Sequence, residues 1–247
     1  MYYQVQGTNV RLLGSLHMVP VGAEPVPKWA AEAYAWSETL VVEHDPPTLL
    51  PLFKTSTPLQ SQMSAPIYTE LAALWPQSGP LSPLSHLRPW AALLGLAALS
   101  HSAIEGIEPT FLAWARKHGK TTLYLETASE VAASFDSANV REVEAGLKFV
   151  LANRSAVPER LAEMYAAWVK QDRDEVFKVA AAAPIYSQPS LRAAVLETRN
   201  AAWVPVIESL LSTERPTLVV VGALHLCGPG NVAELLHRSV TSVQSVG

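Results

Sequence analysis

The chain has one cysteine, Cys227, in 247 residues. That excludes an internal disulfide framework and any zinc cluster built on several thiolates. No Gly-x-Ser-x-Gly, phosphate loop or Gly-x-Gly-x-x-Gly occurs, which argues against a serine hydrolase, a nucleotide hydrolase and a dinucleotide enzyme. Lys and Arg are scattered and the formal net charge is -4, so neither a nucleic-acid partner nor an anionic membrane surface is expected. The most apolar run, 91–99, is bounded by Arg88-Pro89 and Ser100-His101, and falls well short of the roughly 18 residues that a membrane span requires. The amino terminus shows no basic stretch followed by an apolar one, so a cytoplasmic location is expected.

What the chain does contain is ample core material, 49% hydrophobic against 16% charged residues, and a motif that occurs twice. Val10–His17 and Thr217–His225 are both apolar strand-like runs ending in Gly, two further residues and His. For 12 Gly and 7 His, chance supplies about 0.3 Gly-x-x-His matches, so one hit is weak and two hits after strands are informative. Glycine lets the backbone turn out of the strand, and a His three residues on can point back over the strand end.

Taken in order, Tyr2–Gln6, a turn at Gly7-Thr8-Asn9 and the first His loop predict a hairpin. A Pro-rich loop follows His17, then a helix from Pro27 to Trp36 and a buried strand, Glu38–Asp45, that carries Glu43 at its carboxyl end. Residues 48–64 read as a loop over the site, 66–75 and 89–101 as helices, and Phe111–His118 as a helix stopped by Gly119. The 89–101 helix is apolar on nearly all sides and is either buried or a subunit contact, so a homodimer is a possible arrangement. Thr121–Glu126 is a third strand ending in an acid. Ala-rich helices occupy 139–153, 158–170, 172–182 and 189–211, where Pro205 is expected to kink or end the last one. A strand to Gly222, a turn at Gly228-Pro-Gly230, a helix Val232–Arg238 and a strand Val240–Val246 complete the chain. The fold class is therefore α/β, a central mostly parallel sheet with an Ala-rich helical middle region. Residues 1–247 form one domain with a helical insertion over about 60–118 and a helical segment over 129–211.

If the sheet is largely parallel, His17, Glu43, Glu126 and His225 share one edge. Two neutral imidazoles and a carboxylate, His17 and His225 with Glu43, make a facial set for a divalent transition metal, with Mn, Co or Zn all compatible. The second carboxylate is available as general base, although which glutamate binds and which acts is open, and Glu126 has the alternative of capping the next helix. Arg199, seven residues after Arg192 and followed by Asn200, can orient substrate or sit in a surface ion pair. Cys227 reads as a packing residue beside a strand end. Strand alternation sends His44 to the face opposite Glu43, and His86, His101, His118 and His237 lack partners at ligand spacing.

Leu12–Met18, Leu40–Asp45, Gly119-Lys120 with Leu125–Glu130, Glu197–Asn200 and Val219–His225 with Gly228-Pro-Gly230 resemble the corresponding motifs of the TraB/GumN family, sometimes grouped with the TIKI metalloproteases. The resemblance extends over nearly the whole chain. It implies an α/β fold and a metal-dependent, peptidase-like activity, with His17 and His225 as the paired histidines, Glu43 and Glu126 as the functional acids, and Arg199 with Asn200 as the polar pair of the late helix. Relatives carry Gly, an apolar residue and Asp where this chain has Gly106-Ile-Glu108, which leaves the role of Glu108 open. The expected function is thus a metal-dependent hydrolase acting on a peptide; the alternative is a protein that sequesters a peptide or small ligand without turnover.

Overall fold

The computed structural model describes residues 1–101, 103–236 and 240–243. Its strands are β1 (Tyr2–Val5), β2 (Val10–Ser15), β3 (Met18–Pro20), β4 (Thr39–Val42), β5 (Ala103–Glu105), β6 (Thr121–Tyr124), β7 (Thr217–Gly222) and β8 (Val240–Ser242). Six of them form one sheet in the order β6-β4-β7-β2-β1-β8. Gly7, at φ +72°, turns β1 into β2 as an antiparallel hairpin. The β2–β7, β7–β4 and β4–β6 pairs are all parallel. The sheet is therefore mostly parallel, and the carboxyl ends of β2, β7, β4 and β6 lie along one edge.

Every residue of β7 is buried, as a central parallel strand covered on both faces requires. Its neighbour β2 places the two His loops side by side, with Gly14 opposite Val221 and Ser15 opposite Gly222. The third strand departs from expectation: β6 lies at the sheet edge, with Leu123 and Tyr124 exposed, so its apolar residues reflect edge pairing and not burial. The Pro-rich loop after His17 also holds structure, since β3 pairs antiparallel with β5 in a second, two-stranded sheet.

Two apolar clusters support this frame. The first surrounds the six-stranded sheet and takes in Trp29, Phe111, Trp168 and Trp203. The second joins the helices Ala65–Leu74, Pro89–Ser100, Ala128–Asp136 and Val140–Ala152. Within it, Trp90, Leu93 and Leu96 are buried, so one side of the 89–100 helix packs inward, while Leu94 and Leu99 stay exposed. Residues 46–61 hold short helical turns, and Leu49 and Leu59 pack into this second cluster. The Ala-rich helices form at Val140–Ala152, Val157–Val169 and Arg173–Ala181, close to their expected bounds, while the expected 189–211 helix is Pro189–Arg192, a π-helical turn Ala193–Glu197 and Thr198–Leu210. Pro205 does not end the last of these, which continues past it to Leu210 with Trp203 and Ile207 buried on either side. His237, the end of the expected 232–238 helix and residues 244–246 of the expected final strand lie outside the described residues. Among the described residues no helix is long and apolar enough to cross a membrane.

Candidate functional site

The β4 strand ends at Val42, so Glu43 and His44 lie in the bend beyond it. Glu43 is buried, and its Oε1 accepts the Gly222 N–H at 2.6 Å while its Oε2 accepts from Arg199 Nη2 at 2.6 Å. The same Oε1 lies 3.8 Å from His17 Nε2 and 3.8 Å from His225 Nε2. One carboxylate oxygen therefore collects both imidazoles. Gly222 leaves room for this, because a Cβ there would meet His17 Nε2 at 3.0 Å and Glu43 Oε1 at 3.3 Å.

Each imidazole is held from behind. His225 Nδ1 is 2.6 Å from Asn200 Oδ1, and Asn200 Nδ2 donates to the Gly230 carbonyl at 3.0 Å. That second bond fixes which way the amide points, so Nδ1 of His225 carries the proton and Nε2 presents its lone pair. Arg199 Nη1 makes a long contact of 3.4 Å with that nitrogen. His17 Nδ1 pairs with Glu108 Oε1 at 2.8 Å, and Ser15 Oγ donates to the same oxygen. Glu108, whose role the sequence leaves open, thus orients His17 from the first turn of the helix Ile107–His118. Its cue was its position two residues after Gly106, whose N–H donates to the His17 carbonyl at 2.9 Å.

The two sequence alternatives for the remaining residues are decided by contacts. Thr127 and Glu130 form the capping box of the helix Ala128–Asp136, so Glu126 is not its cap. Glu126 instead accepts from Arg199 Nε at 2.9 Å and pairs with Arg199 Nη2. Its backbone N–H reaches the Glu43 carbonyl at 3.0 Å, which extends the β4–β6 pairing and ties the two acids together. Arg199 is buried at 5% exposure, so it is no surface partner. It follows a π-helical turn at Ala193–Glu197, a deformation common where a helix must aim a side chain. Its guanidinium lies over the Trp203 ring, 4.7 Å from the centroid. Arg199 and Asn200 thus hold the acids and His225, with further bonds to the Val195 and Gly230 carbonyls, and Arg199 also lines the cavity.

Electrostatics follow from these contacts. Burial alone would raise the Glu43 carboxyl, but Arg199, with His225, His17 and the Gly222 N–H, outweighs it and holds the group well below the usual carboxylate range. Glu108 is the chief cause that raises His17 to about 9, against an opposing desolvation. The His17 side chain is 62% accessible and lines a cavity. Burial lowers His225 to about 3, so it is neutral, and burial also pushes Glu126 up against the pull of Arg199. Cys227 is a packing residue: its Sγ contacts the Ala223 carbonyl at 3.0 Å and burial pushes its thiol up to about 12.

His44 is the residue whose placement the sequence reading missed. With β4 ending two residues earlier, strand alternation does not govern it, and it joins Glu43 and Glu126 in a group whose donor atoms all lie within 4.8 Å of one another. These three could hold a metal ion. In the His17, His225 and Glu43 set, two of the three donor separations are 3.8 Å, both measured from Glu43 Oε1. Both imidazoles of this set are tethered through Nδ1 and face one carboxylate.

The cluster forms the polar end of a cavity of about 510 Å³, whose remaining walls are mainly apolar and include Leu94, Phe135, Leu161 and Met164. No curated protein and no solved structure matches the chain. The family model described as TraB/PrgY/gumN matches residues 3–244, nearly the whole length, including both His loops and the Arg199-Asn200 pair. The chain belongs to the TraB/PrgY/gumN family.

Proposed function

We propose that the protein is a metal-dependent hydrolase acting on a peptide, with His17, His225 and Glu43 as the residues that hold the ion. The observation that carries this reading is the single Glu43 oxygen standing 3.8 Å from two Nε2 atoms, each on an imidazole oriented through its other nitrogen. A divalent Mn, Co or Zn ion would supply Lewis-acid activation of water and of a carbonyl.

The chain's own residues do the rest. Glu108 and Asn200 hold the imidazoles, and Arg199 with the Gly222 N–H holds Glu43. Glu126 touches neither imidazole, and its raised carboxyl makes it the acid suited to take a proton from water. The apolar cavity walls seat apolar side chains of a substrate. The Glu43, His44 and Glu126 group favours a second location for the ion, next to the first and sharing Glu43.

Protein stripped with chelator and refilled with manganese, cobalt or zinc is expected to cleave a peptide library only when loaded. His17→Ala and His225→Ala should lose both metal and turnover, while His44→Ala loses metal only if the ion sits in the second location. Unchanged turnover in the stripped protein overturns the metal-dependent reading. Tight peptide binding without cleavage, with metal present, supports the sequestering alternative instead.

A further inference from the structure

The helix Val157–Val169 turns one face to the cavity, with Val157, Arg160, Leu161 and Met164 all lining it. Their spacing of three, four and seven residues is that of one helical stripe. Three of the four are apolar, so the arginine stands out chemically. Its guanidinium lies over the ring of Phe149, 5.2 Å from the centroid, and Phe149 is itself a wall residue. The cation is thus held against the cavity lining by an aromatic face.

No carboxylate neutralises it. Among the described residues Arg160 makes no ion pair and no hydrogen bond, whereas the other arginine of the cavity, Arg199, is closed off by Glu43 and Glu126. A second wall residue, His101, has its Nδ1 buried without a partner. His44, also a wall residue, has its Nδ1 buried without a partner too, and an apolar chamber with an unpaired cation and such nitrogens is complementary to a ligand that brings its own acceptor.

We propose that the cavity takes a ligand with an apolar body and a free carboxylate, and that Arg160 pairs with that carboxylate. A single planar guanidinium matches one carboxylate through two parallel hydrogen bonds, and an apolar peptide ending at its carboxyl terminus is such a ligand. The cleavage of that peptide rests on the hydrolase reading above; its recognition by Arg160 does not.

The test uses binding by the full chain after metal removal, with N-acetyl-Leu-Leu-Phe as the free acid and as the carboxyl-terminal amide, measured by calorimetry. Wild-type protein is expected to bind the acid about tenfold to hundredfold more tightly than the amide, the range for a hydrogen bond to a charged group. Arg160→Gln should bring the acid down to the affinity of the amide, and Arg160→Lys should keep part of the preference. Equal binding of acid and amide by the wild type, a preference that survives Arg160→Gln, or no binding of either probe overturns the proposal. If the metal-loaded enzyme cleaves both forms equally well, the hydrolase reading stands and this one fails. If the acid is preferred but never cleaved, this one stands alone.

Discussion

Glu43 meets four partners with two oxygens: the Gly222 amide and the imidazoles of His17 and His225 at Oε1, and Arg199 at Oε2. Removing one partner of such a buried group leaves the others uncompensated, so the cluster should respond to pH as a unit. The signs differ between its two histidines. His225 is depressed to about 3 from an ordinary 6.5, so below pH 6.5 the unfolded chain binds the extra proton and stability falls as pH drops towards 3. His17 is raised to about 9, so its contribution is complete below pH 6.5 and is lost as pH rises through 9. Thermal melts of metal-free protein should therefore peak near pH 6.5. His225→Gln flattens the acid limb and His17→Gln the alkaline one; a wild-type profile flat from pH 4 to 9 would contradict the assignment. At the same scale, Asn200→Leu removes the bond that fixes the His225 tautomer. Metal affinity should drop about 10–100-fold in a chelator competition, the usual cost of losing an outer partner of a ligating histidine.

Two glycines show how elements, and not single side chains, set the geometry. At Gly106, between β5 and the helix Ile107–His118, a Cβ would lie 1.6 Å from the Leu16 carbonyl oxygen. That is a backbone clash that no rotamer change relieves. Gly106→Ala should cost about 3 kcal/mol or more in denaturant unfolding, because the segment carrying Glu108 must move off the His17 loop. At Gly222 the Cβ meets only the site, with His17 Nε2 at 3.0 Å. Gly222→Ala should keep the fold within about 1–2 kcal/mol of wild type yet weaken metal binding at least about tenfold. Equal loss of stability in the two variants would show that Gly222 serves packing. The late helix makes a related point. Arg199 is anchored just after its π-helical turn, and Trp203 and Ile207 are buried on either side of Pro205.

At the scale of the whole molecule, the strand order brings residues from opposite ends of the chain together. β2 and β7 are neighbours in the sheet, and the helical region is pinned to them by Trp168, whose Nε1 donates to the Gly14 carbonyl at 2.7 Å inside the core. Trp168→Phe preserves most of the apolar contact and leaves that carbonyl unpaired, so unfolding free energy should fall by about 1–3 kcal/mol. A change within experimental error would mean the helical layer is held by packing alone.

The strands of the six-stranded sheet, the longer helices and both His loops were legible because local periodicity and glycine, proline and capping signals carry them, whereas β3, β5 and the short turns within 46–61 read as loops. The recurrence of Gly-x-x-His after an apolar run indicated a shared sheet edge, and His17, Glu43, Glu126 and His225 do end their strands along it. Other features were not legible. The position of Glu108 after Gly106 does not by itself say which group it backs, nothing around Arg199 says that it closes on Glu43 and Glu126, and His44 was assigned to the wrong face because β4 stops at Val42. By itself the sequence determined which elements form and which chemical groups end their strands. The tertiary structure alone decided which of those groups touch, because a contact between residues a hundred or more positions apart depends on strand order and packing, and neither leaves a periodic trace in the chain.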